Sequence, residues 1–140
     1  MHTMKTALVS YADQQDAIRL VRTTVFSEEQ GVDPGIDFDG LDDEAFHVLC
    51  SDKGKPVGTG RMLDDGHIGR VAVLSEYRSR GVGTRIMQLL IDTAKANKYR
   101  RIYLHAQVGA VPFYDKLGFF ACGKNFEEAG ILHTPMAKVL

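Results

Sequence analysis

The apolar positions of this chain change period several times, and each change predicts an element. Residues 4–11 alternate, with Ala7 and Val9 on one face and Leu8 and Ser10 on the other, as a half-buried strand does. Asp13 is a candidate N-cap, and beyond it Ala17, Ile18, Val21, Thr24 and Val25 fall on one helical stripe. That helix is predicted to end near Phe26 or to run on to Gly31, a residue suited to the turn after a helix. Alternation returns at 45–52, 56–63 and 67–74, three strands joined by turns at 52–55 and at Asp64-Asp65-Gly66. Residues 81–98 are again helical in period, with Val82, Ile86, Leu89, Leu90 and Ala94 apolar. A strand at 101–107, a short helix at 108–116 stopped by Leu117-Gly118, and two antiparallel strands at 119–125 and 132–139 complete the chain.

The order β-α-β-β-β-α-β-α-β-β predicts an α/β (α+β) fold. Its centre is a mixed, mostly antiparallel sheet of six to seven strands flanked by helices. The 140 residues are enough for one core, and no repeat, low-complexity stretch or linker divides them, so 1–140 is expected to be one domain.

Composition removes several function classes. A net charge of −1 gives no global attraction to nucleic acid or to an anionic membrane. No apolar run approaches the ~18 residues of a membrane span, and no long apolar stretch follows Met1-His2-Thr3-Met4-Lys5 as in a signal peptide. A cytoplasmic protein is the expectation. Cys50 and Cys122 sit in apolar runs without metal or redox spacing and are expected to be buried free thiols. No two histidines have ligand spacing, so no metal is expected; His2, His67 and His105 have no supporting context.

Two stretches stand out. Residues 28–44 hold eight acids (Glu28, Glu29, Asp33, Asp37, Asp39, Asp42, Asp43 and Glu44) and no Lys or Arg. Such a run is either a solvated loop or a wall that binds a cation. It is not a calcium loop, because Phe46 stands where the closing Glu is needed. The second stretch is Tyr77-Arg78-Ser79-Arg80-Gly81-Val82-Gly83-Thr84, between a strand and a helix. A helix start with free N–H groups and no Cβ in the way is an anion site. The Walker A pattern is absent, and a dinucleotide fingerprint would need glycine where Ile86 stands.

Arg78-x-x-Gly81-x-Gly83 in that position resembles the acyl-coenzyme A turn of the GNAT acetyltransferase superfamily. Residues 107–119, with Ala110, Phe113-Tyr114 and Gly118-Phe119, resemble its other motif, Asn-x-x-Ala-x-x-Phe-Tyr-x-x-x-Gly-Phe. The likeness covers nearly the whole chain. Gln107 departs from the family's Asn, and Gln107 with Glu128–His133 and Met136 looks like the bacterial ElaA- and YjcF-like subgroup.

The resemblance implies direct transfer of an acetyl group from acetyl-CoA to a primary amine. By the family's pattern, the N–H groups of Arg80, Gly81, Val82, Gly83 and Thr84 cradle the pyrophosphate, with Arg78 and Arg80 adding charge. Val71 and Val73 offer backbone to the pantetheine arm, and Gln107, Phe113 and Tyr114 line it. Tyr114 protonates the departing sulfur, and the Val73 N–H stabilises the oxyanion. The general base stays open among Glu28, Glu29, His47 and His133. Arg22, Gln30 and Arg61 are further candidates for a small site, and the acidic run suggests a small cationic acceptor. Two alternatives remain: a CoA-binding sensor without catalysis, and an acyltransferase like the acyl-homoserine lactone synthases. The second is suggested by Arg22, Phe26 and Asp37-x-Asp39-x-x-Asp42. The chain is expected to act as a monomer or a homodimer.

Overall fold

Four consecutive strands make the first half of the sheet: β1 (Met4–Val9), β2 (Phe46–Asp52), β3 (Lys55–Met62) and β4 (His67–Val73), each antiparallel to the next. The computed structural model describes residues 4–140. The second half holds β5 (Arg101–Gln107) and β8 (Ile131–Val139), with β6 (Phe120–Ala121) and β7 (Phe126–Glu128) side by side along β8. The strand order is β1-β2-β3-β4-β5-β8-β6. The halves meet at β4 and β5, the sheet's only parallel pair among the described residues. That pair is two residues long, His67↔Tyr103 and Ile68↔Leu104, and beyond it the strands diverge.

The divergence has a local cause. On β3 one residue separates Thr59 from Arg61, whereas on their partners two separate Gly69 from Ala72. The extra residue on β4 is a bulge, which bends a strand and raises its twist. Arg70 lies in it with φ +52°, a left-handed conformation unusual for a side chain of that size.

Helix α3 (Val82–Ala96) covers one face of the sheet, and α1 (Tyr11–Arg22) packs against Leu49 on the other through Tyr11 and Ile18. The core contains Ile86, Met87 and Leu90 of α3 with Val48, Cys50, Ile102 and Met136 of the strands. Gly58 and Gly60 explain the close approach of α3. A Cβ on either would lie 2.7 or 2.8 Å from Val82 or Ile86 side-chain atoms, so the helix sits on bare backbone.

Several boundaries differ from expectation. The strand predicted over 119–125 shrinks to β6, and β7 follows it as a further short strand, giving eight in the sheet instead of six to seven. The chain between them presses on β8 at Gly123, where a Cβ would meet the Pro135 ring at 3.0 Å. Cys50 is buried as expected, but Cys122 follows β6 at the edge of the sheet and is exposed. Ser10, not Asp13, precedes the first helix. That helix continues as π-helical turns over Thr23–Glu29, and Gly31 takes the left-handed turn at φ +71°. Among the described residues no helix is long and apolar enough to cross a membrane.

Candidate active site

The bent strand turns its free edge into a cavity. The Leu74 N–H donates to the Val57 carbonyl at 2.9 Å, and the register from there is one to one through Gly58↔Val73. In an antiparallel ladder bonded and non-bonded pairs alternate. Val73 is therefore in a non-bonded pair, and its N–H and C=O point away from β3, toward the gap. Val71, Val73, Gln107 and Tyr114 line a cavity of about 930 Å³ that opens between the diverging strands.

The turn into α3 forms one end of that cavity. Gly81 has φ +83°, which a residue with a side chain rarely adopts. The first helical bond runs from Arg85 N–H to the Gly81 carbonyl, so the N–H groups of Val82, Gly83 and Thr84 lack intrahelical acceptors. All three residues line the cavity. A Cβ on Gly83 would stand 3.2 Å from Phe113 Cζ, so the two sequence motifs are one packed unit.

The two arginines of the turn are already engaged. Arg78 makes a two-pronged ion pair with Glu29, Nη1 to Oε2 at 2.5 Å and Nη2 to Oε1 at 2.7 Å. Its Nε donates to the Val73 carbonyl at 3.1 Å, which ties the turn to the free edge of β4. Arg80 stacks on the Tyr77 ring at 4.6 Å and is absent from the cavity wall.

Tyr114 lies on α4 (Val111–Lys116), edge-on to Phe113 at 5.0 Å and to Phe119 at 6.0 Å. Burial pushes its phenol up to about 12, so the proton is held at neutral pH. Gln107 donates to the Gln30 side chain at 2.9 Å, which joins the end of β5 to the π-helical segment.

The four candidate bases divide. Glu28 is exposed and outside the cavity wall. The hydrogen bond from Arg78 holds the Glu29 carboxyl low, which weakens it as a base. His47 is buried away from the cavity, stacks on Tyr11 at 4.9 Å, and donates through Nε2 to the Asp42 carbonyl at 2.8 Å. Burial holds its imidazole low. His133 does line the cavity, with Nδ1 donating to the Ile131 carbonyl at 2.7 Å.

Three further residues share that wall: His67, His105 and Glu128. His67 stacks on Tyr103 at 4.6 Å and lies 4.7 Å from the His105 ring. His105 Nδ1 is 3.1 Å from Glu128 Oε2. These histidines have no neighbours in sequence that suggest a site. The available signal was register: on β5, Tyr103, His105 and Gln107 share one face, and Gln107 pairs with His133.

The acidic run is not a free cation wall. Asp37 accepts from Arg22 Nε at 3.0 Å, and Asp42 from Arg22 Nη1 at 2.6 Å and Arg61 Nη1 at 2.9 Å. Asp39 takes both terminal nitrogens of Arg61, at 2.9 and 2.6 Å, and Arg70 Nη2 at 3.1 Å. Glu29 holds Arg78. Asp33 accepts from the Gly35 N–H at the start of the short helix α2 (Pro34–Asp37). Arg22 is 1% exposed, with its guanidinium 4.8 Å from the Phe38 ring, so it is part of the scaffold and not of the cavity. No group of three or more His, Cys, Asp or Glu side chains among the described residues is placed to hold a metal ion.

Comparison with known proteins agrees with this architecture. The family model described as an acetyltransferase (GNAT) domain matches residues 37–140. The chain is 38% identical to the uncharacterized N-acetyltransferase YjcF of Bacillus subtilis over 96% of this chain and 99% of that protein. The crystal structure of Escherichia coli ElaA superposes with a TM-score of 0.84 at 30% identity, covering 96% of this chain and 99% of ElaA. An acyl-CoA N-acyltransferase from Pseudomonas aeruginosa superposes at 0.85 with 29% identity, over 97% of this chain and 99% of that one.

Proposed function

The chain belongs to the GNAT acetyltransferase family and is an acyltransferase, and from that premise we propose that it moves an acetyl group from acetyl-CoA directly to a primary amine. The observation that carries the reading is the open wedge between β4 and β5. It combines an unpaired Val73 N–H, a helix start with free donors, and a half-buried neutral phenol around one cavity.

The N–H groups of Val82, Gly83 and Thr84 receive the pyrophosphate, with the positive end of the α3 dipole behind them. Val71 and Val73 lie along the pantetheine arm, with Gln107 and Phe113 on its other side. The Val73 N–H donates to the thioester oxygen as it gains charge. The amine nitrogen attacks the carbonyl carbon, the carbon–sulfur bond breaks, and Tyr114 gives its proton to the leaving sulfur. No cysteine takes part: Cys50 is in the core and Cys122 is outside the cavity wall. Arg78, committed to Glu29 and to the Val73 carbonyl, steadies the β4 edge and is available to a phosphate only if Glu29 lets go.

The acceptor is read as a small amine that enters as its ammonium form. The acids of the 28–44 run give less support to that reading than their number suggests, since Asp37, Asp39 and Asp42 are held by arginines. Glu128, in the cavity wall beside His105, is the acid that supports it. The test is thiol release from acetyl-CoA across a panel of small amines, with CoA affinity measured in parallel. Amine-dependent release supports the transferase. Binding of CoA with no release for any amine favours a sensor.

A further inference from the structure

The cavity wall holds a hydrogen-bonded imidazole and carboxylate that the reaction above does not yet use. Leu104 is the last β5 residue paired with β4, so His105 is the first residue beyond the apex of the wedge. Its ring lines the cavity on the face it shares with Gln107. The tight turn at Ala129 (φ +53°) and Gly130 (φ +74°) brings β7 back along β8 and sets Glu128 against it.

We infer that His105, oriented by Glu128, is the general base that takes the acceptor's proton; this rests on the acetyl-transfer reading above. A carboxylate only accepts, so the His105 nitrogen facing Glu128 carries the hydrogen and Nε2 keeps its lone pair. The arrangement is a base held in one tautomer by an acid, the logic that activates an attacking group elsewhere in enzymology. Nε2 removes one proton from the ammonium. The freed nitrogen pair attacks the thioester carbonyl, the carbon–sulfur bond breaks, and Tyr114 protonates the sulfur. The second nitrogen proton returns to the tyrosinate through solvent, and His105 loses its proton to bulk water. The sum is one amide, one thiol and one proton from one ammonium and one thioester.

The surroundings suit a site that gains charge during turnover. His67 of β4 faces the His105 ring at 4.7 Å, Tyr103 of β5 at 6.4 Å, and Phe126 of β7 edge-on at 4.9 Å; Pro135 of β8 is its register partner. Burial first, and the neighbouring His105 second, hold the His67 imidazole low. Glu128 is the one acid facing the ring among the described residues, and it balances the imidazolium. His133 sits one strand farther from β4, and its Nδ1 is bonded to its own hairpin.

The experiment is a pH–rate profile of amine-dependent thiol release for the wild-type chain, His105→Gln and Glu128→Gln, with acetyl-CoA affinity measured for each. His105→Gln is expected to lower kcat by about 100-fold or more and to remove the acidic limb of the profile, with acetyl-CoA affinity retained. Glu128→Gln should lower kcat by a smaller factor and move the acidic limb. If His105→Gln loses acetyl-CoA binding, Glu128→Gln carries the test, because that side chain is on the exposed hairpin. An unchanged limb in the variant that still binds overturns the base and leaves the transferase standing. No release by the wild-type chain with any amine overturns both.

Discussion

The acidic stretch at 28–44 and the histidines of the wedge are opposites. The stretch is dense in sequence and looks like a binding wall, yet in space its key acids are matched to Arg22, Arg61, Arg70 and Arg78. His67, His105 and His133 are scattered over 67 positions and look incidental, yet the strands bring them to one cavity with Glu128. A charge run says how much charge must be balanced, and only the fold says where the balance lies. Asp37 and Asp39 reach the cavity wall too, but already matched to arginines that share it, whereas the histidines meet there with Glu128.

That contrast can be broken at either end. The largest expected effect is on chemistry at the cavity. Tyr114→Phe should lower kcat by roughly 100- to 10,000-fold with CoA affinity little changed, read by stopped-flow thiol release and calorimetry. Equal turnover in the variant would remove the phenol from the reaction. The next effect is on stability. Burial pushes the Asp42 carboxyl up, but the hydrogen bonds and charges of Arg22 and Arg61 outweigh it and leave it low. Asp42→Ala removes one carboxylate from two buried guanidinium groups, leaving Arg22 to Asp37 and Arg61 to Asp39, and should cost about 1.5–3 kcal/mol in urea unfolding. A cost below about 1 kcal/mol would mean that the acids are surface charges after all.

The same network predicts an acid limb of stability. Asp39 is held low chiefly by the Arg61 hydrogen bond, and Asp42 is low as well. A carboxylate with a depressed folded pKa contributes fully above its unfolded value of about 3.9, and the contribution is lost as pH falls through the folded value. Unfolding free energy should therefore drop steeply below about pH 4, more shallowly in Asp42→Asn. The smallest expected effect is at Glu29. Its pair with Arg78 is partly exposed, so Glu29→Gln should change stability by no more than about 1 kcal/mol. It should instead free the guanidinium, and tighter CoA binding at low salt would show that Arg78 is a phosphate ligand held in reserve.

The fold was largely legible because the apolar periods at 45–63 and 81–98 are long and unambiguous. The free backbone of β4 at Val71 and Val73 was expected from the family resemblance alone, since the bulge at Arg70 has no periodic signal: a positive φ at an arginine is imposed by its surroundings. The two motifs of the proposed cofactor side could be picked out because Gly81, Gly83 and Phe113-Tyr114 have fixed spacing, and Gly83 packs on the Phe113 ring. The proposed acceptor side could not. Glu128 and His105 are 23 positions apart and meet through a hairpin whose register depends on the turn at Ala129-Gly130. His47 shows the reverse failure: its chemistry suits a base, but Tyr11 and the Asp42 carbonyl enclose it.

The most direct test is a crystal structure with acetyl-CoA bound. The pyrophosphate should lie on the N–H groups of Val82, Gly83 and Thr84, with the thioester oxygen within hydrogen-bond distance of the Val73 N–H, in the gap between β4 and β5. A thioester bound anywhere else, or a Val73 N–H turned back toward β3, would contradict the account.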